Sequence, residues 1–385
     1  MPGRPRVLVA GAGIAGFTLA ASLERFGITP VVVEIEKASL ARGLALMLTS
    51  NVALALRRVG LDRAVTDRGM VLERIIHADP SGNPVEAIHD LGPANERYAP
   101  NLGITRDGLM SGLSGALRAQ IRYSTTITSV DGTMEEPEVT FSDGTHAVFD
   151  LVVGADGIRS VVRTLIYPHL EPAYRSFCAW RTVMESPDYD PVFRLSSTTG
   201  CTLGSFPVGP KLIYAFLLAY CAEVPVLSRD GHLTRLKELA AIFAGNVSPL
   251  IERQQDPARV VFVPVLEVGT PSYYRGRMLL IGDAAHAFSP LLAQGAAMAI
   301  EDAVALAELL GESGDIDQVL RAYEARRRPR VETIRAAVRR RTVARGLEGP
   351  VTPERLSQHQ PVFSASLKVY DEMIEDPFAR AQGAP

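Results

Sequence analysis

Residues 6–36 read RVLVAGAGIAGFTLAASLERFGITPVVVEIE, which is strand, glycine turn, helix and strand in that order. Val7 to Ala10 and Val31 to Val33 are apolar throughout, as expected of parallel strands that helices cover on both faces. Between them lie Gly11, Gly13 and Gly16. In such a turn the first glycine permits the tight reversal, the second lets a pyrophosphate approach the backbone, and the third allows helix and strand to pack closely. The helix N-terminus adds free amides and the positive end of its dipole. Glu34 ends the next strand at the spacing where a carboxylate accepts ribose hydroxyls. The stretch predicts a dinucleotide site without separating FAD from NAD.

Two later segments narrow the choice. GADGIRSVVR, residues 154–163, ends an apolar strand and sets Asp156, Gly157, Ser160 and Arg163 as DGxxSxxR. By itself this fits either a phosphate or ribose neighbourhood or a helix cap with an arginine at helical spacing. LIGDAAHAFSP, residues 280–290, places Asp283 at the carboxyl end of a buried strand, where α/β sheets bind ligands, and Pro290 and Gly295 then lead into the helix AAMAIEDAVALAELL. A cofactor that runs from Gly11 and Glu34 to Asp283 must be long. FAD fits, with Asp283 accepting ribityl hydroxyls and the helix N-terminus near Gly295 facing the flavin pyrimidine, where reduction builds negative charge.

The three segments together resemble the single-component (group A) FAD-dependent monooxygenases, the family of the aromatic-ring hydroxylases, from Val7 to about Val331. TRDGLMSGL at 105–113 is similar to the family's RxxLxxxL, which implies that Arg106 touches the cofactor. YEARRRPRV at 323–331 is similar to the stretch that follows the family's GD helix. The resemblance also sets Ala15, Arg42 and Ala296 among the cofactor-binding residues. It implies reduction of FAD by NADH or NADPH, addition of O2 at flavin C4a, and transfer of hydroxyl from that hydroperoxide to an aromatic or polycyclic small molecule. Arg181, Phe206 and Tyr214, on segments like the family's substrate strands, are the candidate substrate residues. Two departures stand out: Ala293-Gln294-Gly295 replaces the usual GQG, and RGLALML replaces the usual GxGI before Asn51.

The expected architecture is α/β: a Rossmann-like FAD-binding domain with an inserted, mainly β substrate domain and a C-terminal helical segment. The expected divisions are 1–70, 101–170 and 270–345 for FAD, 71–100 and 171–269 for substrate, and a helical tail at 346–385. Hairpins are expected between 71 and 100, and one helix near 233–244. A length of 385 residues with 47% hydrophobic and 22% charged side chains suits two packed domains.

Net charge is −3, which gives no nucleic-acid footprint. The arginines at 326–328, 330 and 339–341 read as a solvated helix face. Cys178, Cys201 and Cys221 lack metal spacing and are odd in number, so buried free thiols in a reducing, cytoplasmic setting are expected, with no membrane partner and no metal. A monomer or homodimer is expected. His286 is read as a hydrogen-bonded structural residue.

The same binding motifs would serve a flavin dehydrogenase or oxidase, an epoxidase or Baeyer-Villiger enzyme on a polyketide-like substrate, or a non-catalytic FAD-binding protein.

Overall fold

The computed structural model describes residues 4–37, 44–85, 88–133, 135–186, 190–244 and 247–344. Arg42 and the tail from 345, including LKVYDEMI, lie outside them.

A six-stranded sheet carries the glycine turn. Its order is Tyr274–Arg275, Met278–Leu280, Leu151–Gly154, Val7–Ala10, Val31–Glu34, Ile121–Tyr123, and every pairing is parallel except the edge pair at Tyr274–Arg275. The register pairs Ala10 with Gly154 and Val33, and Gly154 with Leu280. The strands that precede the three motifs therefore end side by side, and Gly11, Asp156 and Asp283 all emerge at one carboxyl edge. Helices Ile14–Arg25 and Gly295–Glu312 pack on each other over this sheet, and the largest apolar core unites strands and helices.

The second sheet has seven strands, ordered Val261–Glu267, Ala173–Glu185, Leu212–Tyr220, Cys201–Gly209, Val192–Thr198, Arg74–Ala78, His89–Asp90. Strand alternation gives it two faces. One buries Cys178, Trp180, Leu203 and Leu217 against helices Arg229–Ala240 and Ser248–Arg253. The other sets Phe206, Tyr214 and Phe216 against Ala45, Met47 and Ala293. A small antiparallel sheet, with Leu102–Thr105 between Ala45–Leu48 and Met70–Val71, joins the halves. A Cβ on Gly103 would lie 2.0 Å from the Pro207 carbonyl oxygen, so only glycine lets the sheets approach this closely.

Three expectations need correction. The 71–100 region contains one strand pair, Arg74–Ala78 with His89–Asp90, but residues Gly92–Arg97 form a helix with Pro93 in its first turn. The helix expected near 233–244 starts at Arg229, because Ser228 Oγ accepts the Gly231 N–H and caps it, and Ser248–Arg253 forms a second helix. The arginine stretch is not uniformly solvated. Arg327, on helix Ile316–Ala344, is fully buried, whereas Arg339 and Arg340 on the same helix are exposed. Among the described residues no helix is long and apolar enough to cross a membrane.

Candidate active site

The glycine turn is shaped by backbone contact. Gly11 has φ +102°, and a Cβ there would sit 2.6 Å from the Ala155 carbonyl oxygen; on Gly16 it would sit 1.8 Å from the Gly11 oxygen. A Cβ on Gly13 would meet nothing within 4 Å. Two glycines are thus demanded by the protein's own packing, and the third faces open space. Glu34 turns toward this loop, its carboxylate accepting the N–H groups of Ala12 at 2.7 Å and Glu36 at 3.0 Å.

Asp156 Oδ2 accepts the Val161 and Val162 N–H groups at 2.7 and 3.1 Å, so half of this carboxylate caps helix Val161–Ile166. The other oxygen, Oδ1, is buried without a partner. Burial pushes the carboxyl above its usual range, against the pull of hydrogen bonds from Ser160 and the backbone. Gly157, at φ +75°, also opens onto free space. Arg163 ties this loop to the next by donating to the carbonyls of Ile158 at 2.7 Å and Ala284 at 3.2 Å.

Gly282 adopts φ +59°, and a Cβ on it would lie 3.3 Å from that of Ala15. This brings the third motif against the first. Asp283 is solvent-exposed, although protein packs densely around it. Desolvation raises its pKa, while His286 and Arg106 pull it back. Beyond it comes the exposed Pro290, which opens a short turn, then Ala293 at φ 53°, the left-handed region that favours glycine. Gly295 and Ala296 begin the 18-residue helix with no side-chain cap and no acid in the first turn, and a Cβ on Gly295 meets nothing within 4 Å. Its first amides are left for another acceptor.

Behind these loops lies a closed set of buried charges. Asp302 Oδ2 accepts the Gly282 N–H at 2.9 Å and pairs with His286 Nε2 at 2.6 Å, and its Oδ1 accepts Arg327 Nε at 2.7 Å. Glu301 takes Arg327 Nη1 at 2.8 Å, Arg330 Nη2 at 3.2 Å and Asn51 Nδ2 at 2.7 Å. Asn51 also donates to Gln294 Oε1 at 3.1 Å, and Gln294 Nε2 donates to Thr49 Oγ1 at 2.9 Å. One network therefore fixes the Gly282 turn, the Ala293 turn and the start of helix Ser50–Arg58. Burial alone would raise the Asp302 pKa, but His286, Arg327 and the hydrogen bonds overcome it and hold the carboxyl at about 2. His286 thus has a structural partner.

The motifs picked out Asp283 and Gly295 but not Asn51, Gln294, Glu301, Asp302 and Arg327 behind them. Two acids inside the otherwise apolar AAMAIEDAVALAELL were the available signal.

Across the cleft, the sheet groups the three substrate candidates on one face. Phe206 pairs with Tyr214 in register, Tyr214 with Val183, and Arg181 with Phe216. Ring centroids of Phe206 and Tyr214 lie 5.1 Å apart, with Phe193 5.3 Å from Phe206 and Phe216 5.9 Å from Tyr214. A Cβ on Gly204 would lie 2.2 Å from the Phe216 ring, which leaves no room for a side chain beneath it. Burial pushes the Tyr214 hydroxyl up to about 12, with Arg181 opposing it. The Arg106 pKa is lowered by desolvation first and then by the like charge of Arg181, with Asp283 acting the other way. The Nε atoms of both Arg106 and Arg181 are buried without a partner.

The chain therefore joins a Rossmann-type edge, where three motifs meet, to an aromatic sheet face that carries Arg181. That combination defines a flavin-binding oxidoreductase. The FAD binding domain family matches residues 4–213 and 234–338, and the chain belongs to it, among the FAD-dependent monooxygenases of the group A aromatic-hydroxylase type. Aurachin C monooxygenase/isomerase of Stigmatella aurantiaca is 31% identical over 333 residues, 83% of this chain and 84% of that one. The 3-amino-4-hydroxybenzoate 2-monooxygenase PtmB3 of Streptomyces platensis is 33% identical over 358 residues, 88% of each. The crystal structure of Klebsiella pneumoniae HpxO with FAD and uric acid shares the fold, with TM-score 0.86 and 24% identity over 100% of this chain and 99% of that one.

Proposed function

We propose that this enzyme uses NADH or NADPH and O2 to hydroxylate an electron-rich aromatic or heteroaromatic ring that bears an ionised oxygen. The observation that carries the reading is the Arg181 guanidinium. It stands on an aromatic sheet face with a buried Nε that has no protein acceptor. The guanidinium already hydrogen-bonds the Tyr214 oxygen, but a buried Nε without an acceptor costs stability, and an anionic or strongly polar oxygen of a ligand satisfies it. The names of the relatives support this. An aminohydroxybenzoate carries a carboxylate and a phenol, and uric acid is an acidic ring.

The residues present fit FAD. Gly13 and Gly295 face space that no protein atom fills, and Asp156 Oδ1 and Arg106 Nε lack partners. In this reading the turn at Gly11, Gly13, Ala15 and Gly16 holds the pyrophosphate, and Glu34 takes the ribose once it releases the Ala12 amide. Asp156 and Gly157 border the phosphates, Asp283 takes the ribityl hydroxyls, and Arg106 lies along the cofactor. Pro290, Gly295 and Ala296 bring the helix N-terminus to the flavin ring. Bound and reduced, FAD supplies the activation of O2 that delivers one oxygen atom to the substrate. The chain supplies position: Arg181 anchors the substrate anion, Phe206 and Tyr214 hold the ring in an apolar slot, and the packed aromatic wall excludes water. Burial moves the Tyr214 pKa further above neutrality, so its hydroxyl keeps its proton at neutral pH and can donate a hydrogen bond. The sequence holds no second GxGxxG, so the nicotinamide cofactor visits without a Rossmann turn of its own.

The test is NADH and NADPH oxidation in air by the FAD-loaded protein, with a panel of aromatic acids and phenols and their methyl esters or ethers. Consumption stimulated by an acid, with a product heavier by one oxygen, is the expected result. Stimulation that survives esterification equally would remove the role given to Arg181. Reductant consumption without oxygen insertion would make the enzyme an oxidase.

A further inference from the structure

Strand pairing lays out the aromatic face of the seven-stranded sheet as rungs. Ala179 stands opposite Leu218, Arg181 opposite Phe216, and Val183 opposite Tyr214, which in turn faces Phe206. Side chains on one face recur every two residues, so the Arg181 rung has an apolar rung on each side, about 7 Å away. The turn at Pro290–Leu292, which leads into helix Gly295–Glu312, meets this face twice. Leu291 packs on the cluster of Phe177, Ala179, Leu218 and Val265, and Ala293 packs on the cluster that holds Phe206 and Tyr214. Leu292, between them, joins the core of the first sheet instead. Two side chains of one turn therefore flank the rung that carries Arg181, and both stay half-buried.

Ala293 is held there against its own preference. Its φ of 53° lies in the region where a Cβ crowds the backbone, and glycine adopts the same angle without strain. A strained residue persists where its surroundings fix it, and such residues gather at functional sites. Here the Ala293 N–H donates to the Pro290 carbonyl at 3.0 Å. The next side chain, the buried Gln294, accepts from Asn51 at 3.1 Å and donates to Thr49 at 2.9 Å. What the turn retains at the expense of strain is one methyl group, set against the aromatic wall.

We infer that Ala293 is a specificity-determining residue of the hydroxylation. Its methyl, with the Leu291 side chain on the other flank, limits the width of the ring system that lies over Arg181 and Phe216. The inference rests on the reading that Arg181 anchors a substrate anion. With the anion held at the guanidinium, a second fused ring widens the ligand toward one flank or the other. One methyl placed in this way discriminates between ligands by roughly 10- to 200-fold.

The experiment compares salicylate with 3-hydroxy-2-naphthoate, the same hydroxy acid carrying one more fused ring. Dissociation constants come from the change each acid causes in the flavin absorbance of the FAD-loaded full chain, in wild type, Ala293→Gly and Leu291→Ala. Ala293→Gly should shift the ratio of the two constants by about 10-fold or more in favour of the two-ring acid, with flavin content unchanged. Leu291→Ala, which opens the other flank, should shift it in the same direction. A methyl that served packing alone would move thermal stability and leave the ratio where it was. An unchanged ratio in Ala293→Gly, or loss of flavin from it, would overturn the proposal and leave the role of Arg181 in place. Failure of both acids to bind any of the three proteins would overturn the Arg181 reading and this proposal with it.

Discussion

The molecule holds two clusters of charge, one buried and one partly open to solvent, and they are finished differently. Around helix Gly295–Glu312, two carboxylates, two arginines and a histidine use their strongest donors and acceptors on one another. Across the cleft, Arg106 and Arg181 repel each other with the carboxylates of Asp283 and Asp107 near Arg106, and their Nε atoms have no protein acceptor. Burial of charge is tolerated in proteins when it is paired. The saturated cluster therefore reads as architecture that fixes loops, and the unsaturated one as a place where something else completes the pairing.

Removing a member of the closed cluster gives the largest expected effect. Arg327→Met leaves Glu301 and Asp302 short of a cation and should destabilise the fold by about 3–5 kcal/mol in urea titrations. Arg339→Ala, on an exposed part of the same helix, should stay within about 0.5 kcal/mol. Equal effects would erase the distinction.

The open cluster should respond in ligand affinity. Asp283→Ala should weaken FAD retention by roughly 10- to 100-fold with the near-UV circular dichroism unchanged, the scale of one charged hydrogen bond. Arg181→Met should raise KM for an acidic substrate by about the same factor and leave flavin content alone. An Arg181→Met protein that loses FAD would move that arginine from substrate to cofactor.

The two clusters should also titrate with opposite sign. Asp302 sits at about 2 in the folded chain, below the usual 3.8. Its contribution, on the order of 2 kcal/mol, is therefore complete above about pH 4 and is lost as pH falls toward 2. Acid unfolding followed against Asp302→Asn should show this slope missing from the variant. Asp283 is raised, so its ionised form works against folding, and its favourable effect belongs to the protonated form and fades as pH rises. Asp283→Asn should make the apoprotein more stable than wild type at neutral pH, with the gap closing in acid. A less stable Asp283→Asn apoprotein would place that carboxylate in the architectural class.

Much of this was legible because its signals are local. The glycine turn, the apolar strands and the acids at strand ends occupy windows of about ten residues, and a parallel register then collects them without further instruction. Arg327 was misread for the same reason in reverse. Its neighbours in sequence are basic and polar, while the partners that bury it lie 25 and 26 residues upstream. Arg181, Phe206 and Tyr214 could be placed on strands, but only the pairing of three separate strands puts them on one face. The left-handed Ala293 is a sequence departure whose φ angle no pattern foretells.

Strand Arg74–Ala78 pairs in parallel with Val192–Thr198, more than a hundred residues later. The ribosome therefore releases a strand of the second sheet well before the chain that will receive it, and two strands of the first sheet, Ile121–Tyr123 and Leu151–Gly154, are made in the interval. The second sheet reaches full width only after this delay, and contacts of such long sequence separation slow folding. The same thread limits recombination. A graft that exchanges only residues 171–269 between relatives would arrive without its Arg74–Ala78 and His89–Asp90 edge, so an exchange of specificity must carry two pieces of gene.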